Sequence, residues 1–230
     1  MHPSNRITLT EEQLRVVEAE PGHYVVTAVA GSGKTTTLAH RINYLLDQGF
    51  SAKRILILMF NKAAKVDFAR KLKKIAAKQS LLPEVRTFHA MGYRLYLRFI
   101  QEGMLQSFNK QILSEKEVDY HVWRLLNQIL DAVALKDAKK NKKDYVEAGH
   151  QFIESVKNGL RSPQETLSNL GLGDKFDFLP LLFETFESWR KQNSRISYTD
   201  MLFDTVIAIQ HHPELAQLVG NKMDIVLFDK

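Results

Sequence analysis

Residues 28–35 read Ala-Val-Ala-Gly-Ser-Gly-Lys-Thr. A glycine-rich turn that ends in a lysine and a hydroxyl residue has the chemistry of a phosphate cradle. Glycines let the backbone curl so that successive N–H groups point at phosphate oxygens. A helix starting at the turn adds the positive end of its dipole. Lys34 would then reach the β- and γ-phosphates of ATP, and the Thr35 hydroxyl would bind Mg²⁺. The nucleotide-binding candidates are Ala28, Val29, Ala30, Gly31, Ser32, Gly33, Lys34, Thr35 and Thr36. Where the usual pattern opens with glycine this chain has Ala28, and that position only needs a small side chain. The plainer reading is an ordinary strand-to-helix turn with a solvated lysine. The full pattern between a β-rich run and a helical one favours the phosphate reading.

Phosphoryl-transfer sites of this kind hold their metal with an aspartate at the end of another strand. Ile225-Val226-Leu227-Phe228-Asp229 has that form: four apolar residues, then a carboxylate at the sheet edge. Asp229 is therefore the second metal ligand beside Thr35, and Lys34 and Asp229 are the catalytic candidates. The next residue is Lys230, where the usual pattern places a glutamate that polarises the attacking water. A charged lysine cannot take that proton. Either hydrolysis is impaired as written, or Lys230 reflects where and how the chain ends.

Certain elements must position these groups. Thr10–Glu18 reads as a short helix, with Thr10 and Gln13 fitting a capping box. His23–Val29 fits a buried strand leading into the loop, and Lys34–Leu46 has apolar residues at helical spacing. Ile55–Phe60 and Val85–Phe88 are two further strands, separated by a helix over about 62–77. That helix has a basic face of Lys62, Lys65, Arg70, Lys71, Lys73 and Lys74, continued by Lys78. Strand and helix alternate, as in an α/β sheet. From about Met91 to Lys191 the pattern becomes almost wholly helical, with helix starts at Ser114/Glu117 and Ser162-Pro163 and a polar Lys139–Lys143 stretch. Because 225–228 resumes the buried-strand pattern, the helical block looks inserted into the α/β domain.

Composition sets the surroundings. The 230 residues are 44% hydrophobic, enough for a real core, and the formal net charge of +6 raises the prior for a polyanionic partner. With no cysteine, disulfides and cysteine-ligated metals are excluded. No apolar run is long enough to span a bilayer, and the first residues have no signal-peptide core. The expectation is a soluble cytoplasmic protein with no membrane partner.

Six segments then resemble, in order, the N-terminal motifs of the UvrD/Rep family of superfamily-one DNA helicases. They are Leu9-Thr10-Glu11-Glu12-Gln13, Ala30–Thr35, Phe60-Asn61-Lys62-Ala63-Ala64, Thr87-Phe88-His89-Ala90-Met91-Gly92, Ile196–Leu202 and Val226–Asp229. The loop alone says only that the chain binds a nucleotide; the Asn-Lys-Ala-Ala and Thr-Phe-His motifs in order make it helicase-like.

The resemblance implies an α/β, P-loop NTPase fold: a RecA-like parallel sheet with an inserted helical subdomain. The divisions would fall at 1–92, 93–191 and 192–230. It implies an ATP-dependent DNA helicase moving 3′–5′ on single-stranded DNA, with ATP and Mg²⁺ as cofactors and strands and single/double-strand junctions as partners. Gln13 would contact adenine, beside its reading as a capping residue. Phe60, Asn61, Lys62, Phe88, His89 and Tyr198 would contact the strand, with Asp200 in the same motif as Tyr198; the alternative for Phe60 and Phe88 is core. The later motifs and a second RecA-like domain of the same protein are absent, so the chain alone is expected to bind nucleotide weakly and not to unwind DNA. The competing readings are a nucleotide- and DNA-binding module that has lost its ATPase, and an unrelated P-loop kinase or transport ATPase.

Overall fold

The structure, a computed structural model, describes residues 9–109 and 111–229. In chain order the helices and strands begin with α1 (Glu11–Glu18), α2 (Lys34–Asp47), β1 (Ile55–Met59), α3 (Lys62–Ile75), β2 (Glu84–Thr87) and α4 (Phe88–Gln101). Next come β3 (Ile112–Leu113), α5 (Glu115–Ile129), α6 (Ala132–Lys140), α7 (Lys142–Gly159), α8 (Pro163–Leu170) and α9 (Leu179–Gln192). The chain continues through β4 (Ile196–Ser197), α10 (Tyr198–His211), α11 (Pro213–Gly220) and β5 (Ile225–Asp229). It forms two compact units, one from Met1–Met91 with Glu214–Lys230 and the other from Gly92–Pro213. Residues 192–213, expected to return to the sheet domain, group with the second unit.

The first unit is built on a parallel sheet of order β2-β1-β5. Parallel strands need crossover connections, here helical ones on the route from β1 to β2 and, by way of the second unit, from β2 to β5. Central β1 is buried almost throughout, so its run Ile-Leu-Ile-Leu-Met is continuously apolar. Ala39, Ile42 and Leu45 of α2 and Phe68 and Leu72 of α3 pack with Ile55, Ile57 and Met59. On β5, Ile225 and Leu227 turn towards this core while Val226 and Phe228 are exposed. The register pairs Met59 with both Thr87 and Asp229, so the three strands end in one row.

The expected strand at His23–Val29 does not form. Its apolar residues are solvent-exposed, Val25 at 89%. The run has strand composition, but a strand exists only through a ladder, and it pairs with no strand among the described residues. Strand β2 ends at Thr87, so Phe88 opens a helix instead of closing a strand. The expected capping box on α1 is present: the Thr10 N–H donates to Gln13 Oε1 at 3.0 Å, and Thr10 Oγ1 accepts from the Gln13 N–H.

The second unit packs α5, α7 and α9 around Val122, Leu126, Phe152, Leu182 and Phe186. Capping boxes at Ser114/Glu117 and Ser162/Glu165 start α5 and α8 as the sequence indicates. The lysine-rich 139–143 stretch is helix on both sides of Asn141, whose side-chain amide donates back to Asp137. A short parallel pairing of β3 with β4 had no sequence signal, since two residues carry no periodicity.

Candidate functional site: the phosphate loop and the sheet edge

The glycine turn has the backbone its sequence requires. Gly31 and Gly33 sit at φ 81° and 87°. A Cβ on Gly33 would also lie 2.9 Å from Gln13 Nε2. Gly33 precedes α2 without a capping side chain; the Thr36 and Thr37 N–H groups donate to its carbonyl, and those of Lys34 and Thr35 have no helical partner. That is the state in which a helix N-terminus receives an anion.

Lys34 is half-buried. Its ammonium folds back across the loop, 2.6 Å from the Ala28 carbonyl and 3.1 Å from that of Val29. Across the sheet edge the Thr35 hydroxyl donates to Asp229 Oδ2 at 2.9 Å, a contact between residues 194 apart in sequence. The arrangement suits a divalent cation whose remaining ligands come from phosphate and water. Magnesium commonly takes only one or two protein ligands, and no cluster of three His, Asp or Glu offers a protein-only cage among the described residues.

Gln13 takes the capping role and also reaches the loop. Its Oε1 completes the capping box while its Nε2 donates to the Ser32 carbonyl at 3.0 Å, binding α1 to the loop. Two further residues in this region escaped sequence reasoning. Arg41 is buried on α2 and donates to the Val17 carbonyl at 2.7 Å, fixing the end of α1. Lys71 on α3 donates to Thr36 Oγ1 at 3.0 Å. Both look like solvated cations in a linear pattern, because nothing in the sequence encodes a partner 24 or 35 residues away.

The row of strand ends also places the aromatic candidates. Phe60 is 61% exposed, which excludes a core role. Asn61 caps α3 through Oδ1, accepting from the Ala64 N–H at 2.8 Å, which leaves its amide NH₂ to donate elsewhere. Lys62 is exposed on the first turn. Phe88 is half-buried and meets Phe228 edge-on, with centroids 6.4 Å apart, while His89 is exposed. Thr87 Oγ1 accepts from the Ala90 N–H, so Phe88 and His89 ride the first turn of α4.

In the second unit Tyr198 is 57% exposed at the start of α10. Asp200 is fully buried, which corrects its reading as a strand contact. It caps α10 from inside, accepting from the Ser197 N–H at 2.6 Å. Its Oδ1 also meets Lys157 Nζ and lies 3.3 Å from Arg190 Nε. Lys157 reaches Glu187 at 2.8 Å, and Arg190 forks onto Glu187 and Asp204. Burial alone would raise the Asp200 pKa; Lys157 and then Arg190 outweigh it and hold the carboxyl below its ordinary range. Burial instead wins at Asp204, whose pKa is raised despite Arg190. Lys230 lies outside the described residues.

A sheet whose strands end in an aspartate facing a glycine-loop threonine, with a helical unit between its second and last strands, agrees with the family comparison. Residues 9–230 match the model of the UvrD/REP helicase N-terminal domain, and the chain belongs to that family. It is similar to the ATP-dependent DNA helicase PcrA of Staphylococcus aureus (strain Mu50), with 22% identity over 224 residues, 96% of this chain and 29% of the relative. It is likewise 25% identical over 229 residues to the ATP-dependent DNA helicase PcrA of Staphylococcus epidermidis (strain RP62A), again 96% of this chain and 29% of the relative. The chain thus spans less than a third of the length of these relatives. Among the described residues no helix is long and apolar enough to cross a membrane.

Proposed function

We propose that this chain is the nucleotide-binding part of an ATP-dependent DNA helicase that moves 3′–5′ on single-stranded DNA. The observation that carries the proposal is the 2.9 Å contact of Thr35 with Asp229 at the mouth of the glycine turn. It brings the two residues picked out for Mg²⁺ together from opposite ends of the chain. The P-loop NTPase, RecA-like fold is part of the same reading. So are the roles of Ala28–Thr36 around the phosphates and of Gln13 at the adenine.

With Mg²⁺ and ATP bound, the metal would supply charge stabilisation at the β- and γ-phosphates. The protein's own contribution is to orient. The first N–H groups of α2 and the Lys34 ammonium would exchange their present surroundings for phosphate oxygens. Thr35 and Asp229 would hold the metal from two sides. Phe60, Asn61, Lys62, Phe88, His89 and Tyr198 would meet the strand, with the rings stacking on bases irrespective of sequence. In the whole protein a second RecA-like domain of the same polypeptide would close over the nucleotide, and single/double-strand junctions would be the substrates.

Lys34→Ala tests the reading. Loss of a charge-assisted hydrogen bond should weaken binding of a slowly hydrolysed ATP analogue roughly 10–150-fold in titration calorimetry. The far-ultraviolet spectrum should be unchanged. Unchanged affinity would remove Lys34 from the site.

Lys230 supports a second reading, a module that holds ATP and hydrolyses it very slowly, since a lysine stands where the family pattern has its glutamate. In the whole protein, Lys230→Glu should then raise steady-state hydrolysis with saturating single-stranded DNA while leaving nucleotide affinity within about twofold. Robust hydrolysis by the unaltered whole protein would eliminate that reading.

A further inference from the structure

Helix α3 begins at the strand candidates Asn61 and Lys62, and helix α2 begins at the phosphate loop. One side-chain hydrogen bond joins the two helices: near the start of α2, Lys71 Nζ donates to Thr36 Oγ1 at 3.0 Å. A second ties the last residue of α2 to the segment after α3, where Gln79 Nε2 donates to Asp47 Oδ1 at 2.6 Å. Phe68 and Leu72 are buried in the core that α2 shares. Lys71 differs from the neighbouring cations of α3: Arg70, Lys73 and Lys74 are exposed, whereas Lys71 is half-buried and turned inward. It therefore does not belong to the solvent-facing basic surface that the linear pattern gave it.

Ten residues of helix separate Asn61 from Lys71, about 15 Å at the helical rise. A helix is stiff over that length. A displacement of its first turn by a bound strand is passed to the Lys71 ammonium, and through one charged hydrogen bond to Thr36. Thr36 adjoins Thr35, and its own N–H donates to the Gly33 carbonyl at 2.9 Å. A pull on Thr36 therefore reorients the turn in which the phosphates would sit.

We propose that Lys71 is a positioning residue that couples strand binding to nucleotide binding through the Thr36 hydroxyl. The inference rests on the nucleotide and strand sites proposed above. Lys71 itself touches neither ligand. Coupling between two sites is a free energy and is reciprocal: the factor by which a strand changes nucleotide affinity equals the factor by which nucleotide changes strand affinity.

The test is a linkage measurement on the full chain, using a slowly hydrolysed ATP analogue with Mg²⁺ and a twelve-residue oligothymidylate. Each affinity is measured with and without the other ligand. In the unaltered protein the linkage factor should be about fivefold or more. In K71M it should fall to within about twofold of unity, with strand affinity in the absence of nucleotide unchanged. K71R, which keeps a charged donor, should retain most of the linkage. K74M, which removes an exposed charge of the same helix, should retain all of it. A residue that merely supported the fold would lower the melting temperature and shift both affinities without altering their ratio. An unchanged linkage factor in K71M overturns the inference, as does an equal loss in K74M or the absence of linkage in the unaltered protein. Failure of that protein to bind the nucleotide at all overturns the proposed function itself and this inference with it.

Discussion

Replacing Lys157 by methionine probes how the second unit presents Tyr198. Only 1% of the Lys157 side chain is exposed, and its ammonium lies between the Asp200 carboxylate and Glu187 Oε1, the latter 2.8 Å away. Methionine nearly preserves the volume, so the cavity contribution is small. What changes is charge: the buried carboxylates of Glu187 and Asp200 and the half-buried one of Asp204 are left with Arg190 as their buried cation, Lys191 reaching Glu187 only from the surface at 3.9 Å. Removing one partner of a buried ion pair costs about 3–5 kcal/mol, because the other partner stays desolvated. Urea denaturation followed by tryptophan fluorescence should show a loss of that size, reported by Trp189 in the same unit. Asp200→Asn should cost a similar amount, while K157M/D200N together should cost clearly less than the sum, since the second change removes the charge orphaned by the first. A loss under about 1 kcal/mol in K157M, or strictly additive losses, would refute the claim that these charges act as one network.

A second prediction separates strand contact from packing. Phe60 is 61% exposed, so Phe60→Ala should leave unfolding stability within about 0.5 kcal/mol. It should weaken oligothymidylate binding by roughly 1–3 kcal/mol in fluorescence anisotropy if a base stacks there. Preserved affinity with lowered stability would mean that the ring belongs to the fold.

Much of this protein was legible in its sequence because the relevant signals are local. Capping boxes, the glycine turn and continuous apolar strands are specified within a few residues, and Thr10, Gly33, Ile57 and Ser162 behave as their types and spacing indicate. What escaped depends on partners distant in sequence. The run at His23–Val29 has the residues of a strand without a ladder to join among the described residues. Asp200 reads as one more polar residue in an exposed motif, yet it is fully buried, because Lys157 from α7 and Arg190 from α9 converge on it. Lys71 reads as one cation of a basic stripe, and only the packing of α3 against α2 turns it inward. Phe60 and Phe88 could not be separated into core and surface by type, because exposure at a sheet edge is set by which neighbours the fold supplies.

The central claim is that Thr35 and Asp229 together hold the metal of a bound nucleotide. It is tested most directly by titrating the full chain with the ATP analogue in magnesium and again in EDTA, for the unaltered protein and for Asp229→Asn. The amide keeps an oxygen to accept from Thr35 but loses the charge that a hard cation requires. The account predicts that magnesium strengthens binding several-fold or more in the unaltered protein, and that this enhancement is largely lost in D229N while binding in EDTA is little changed. An equal magnesium dependence in both proteins would contradict it.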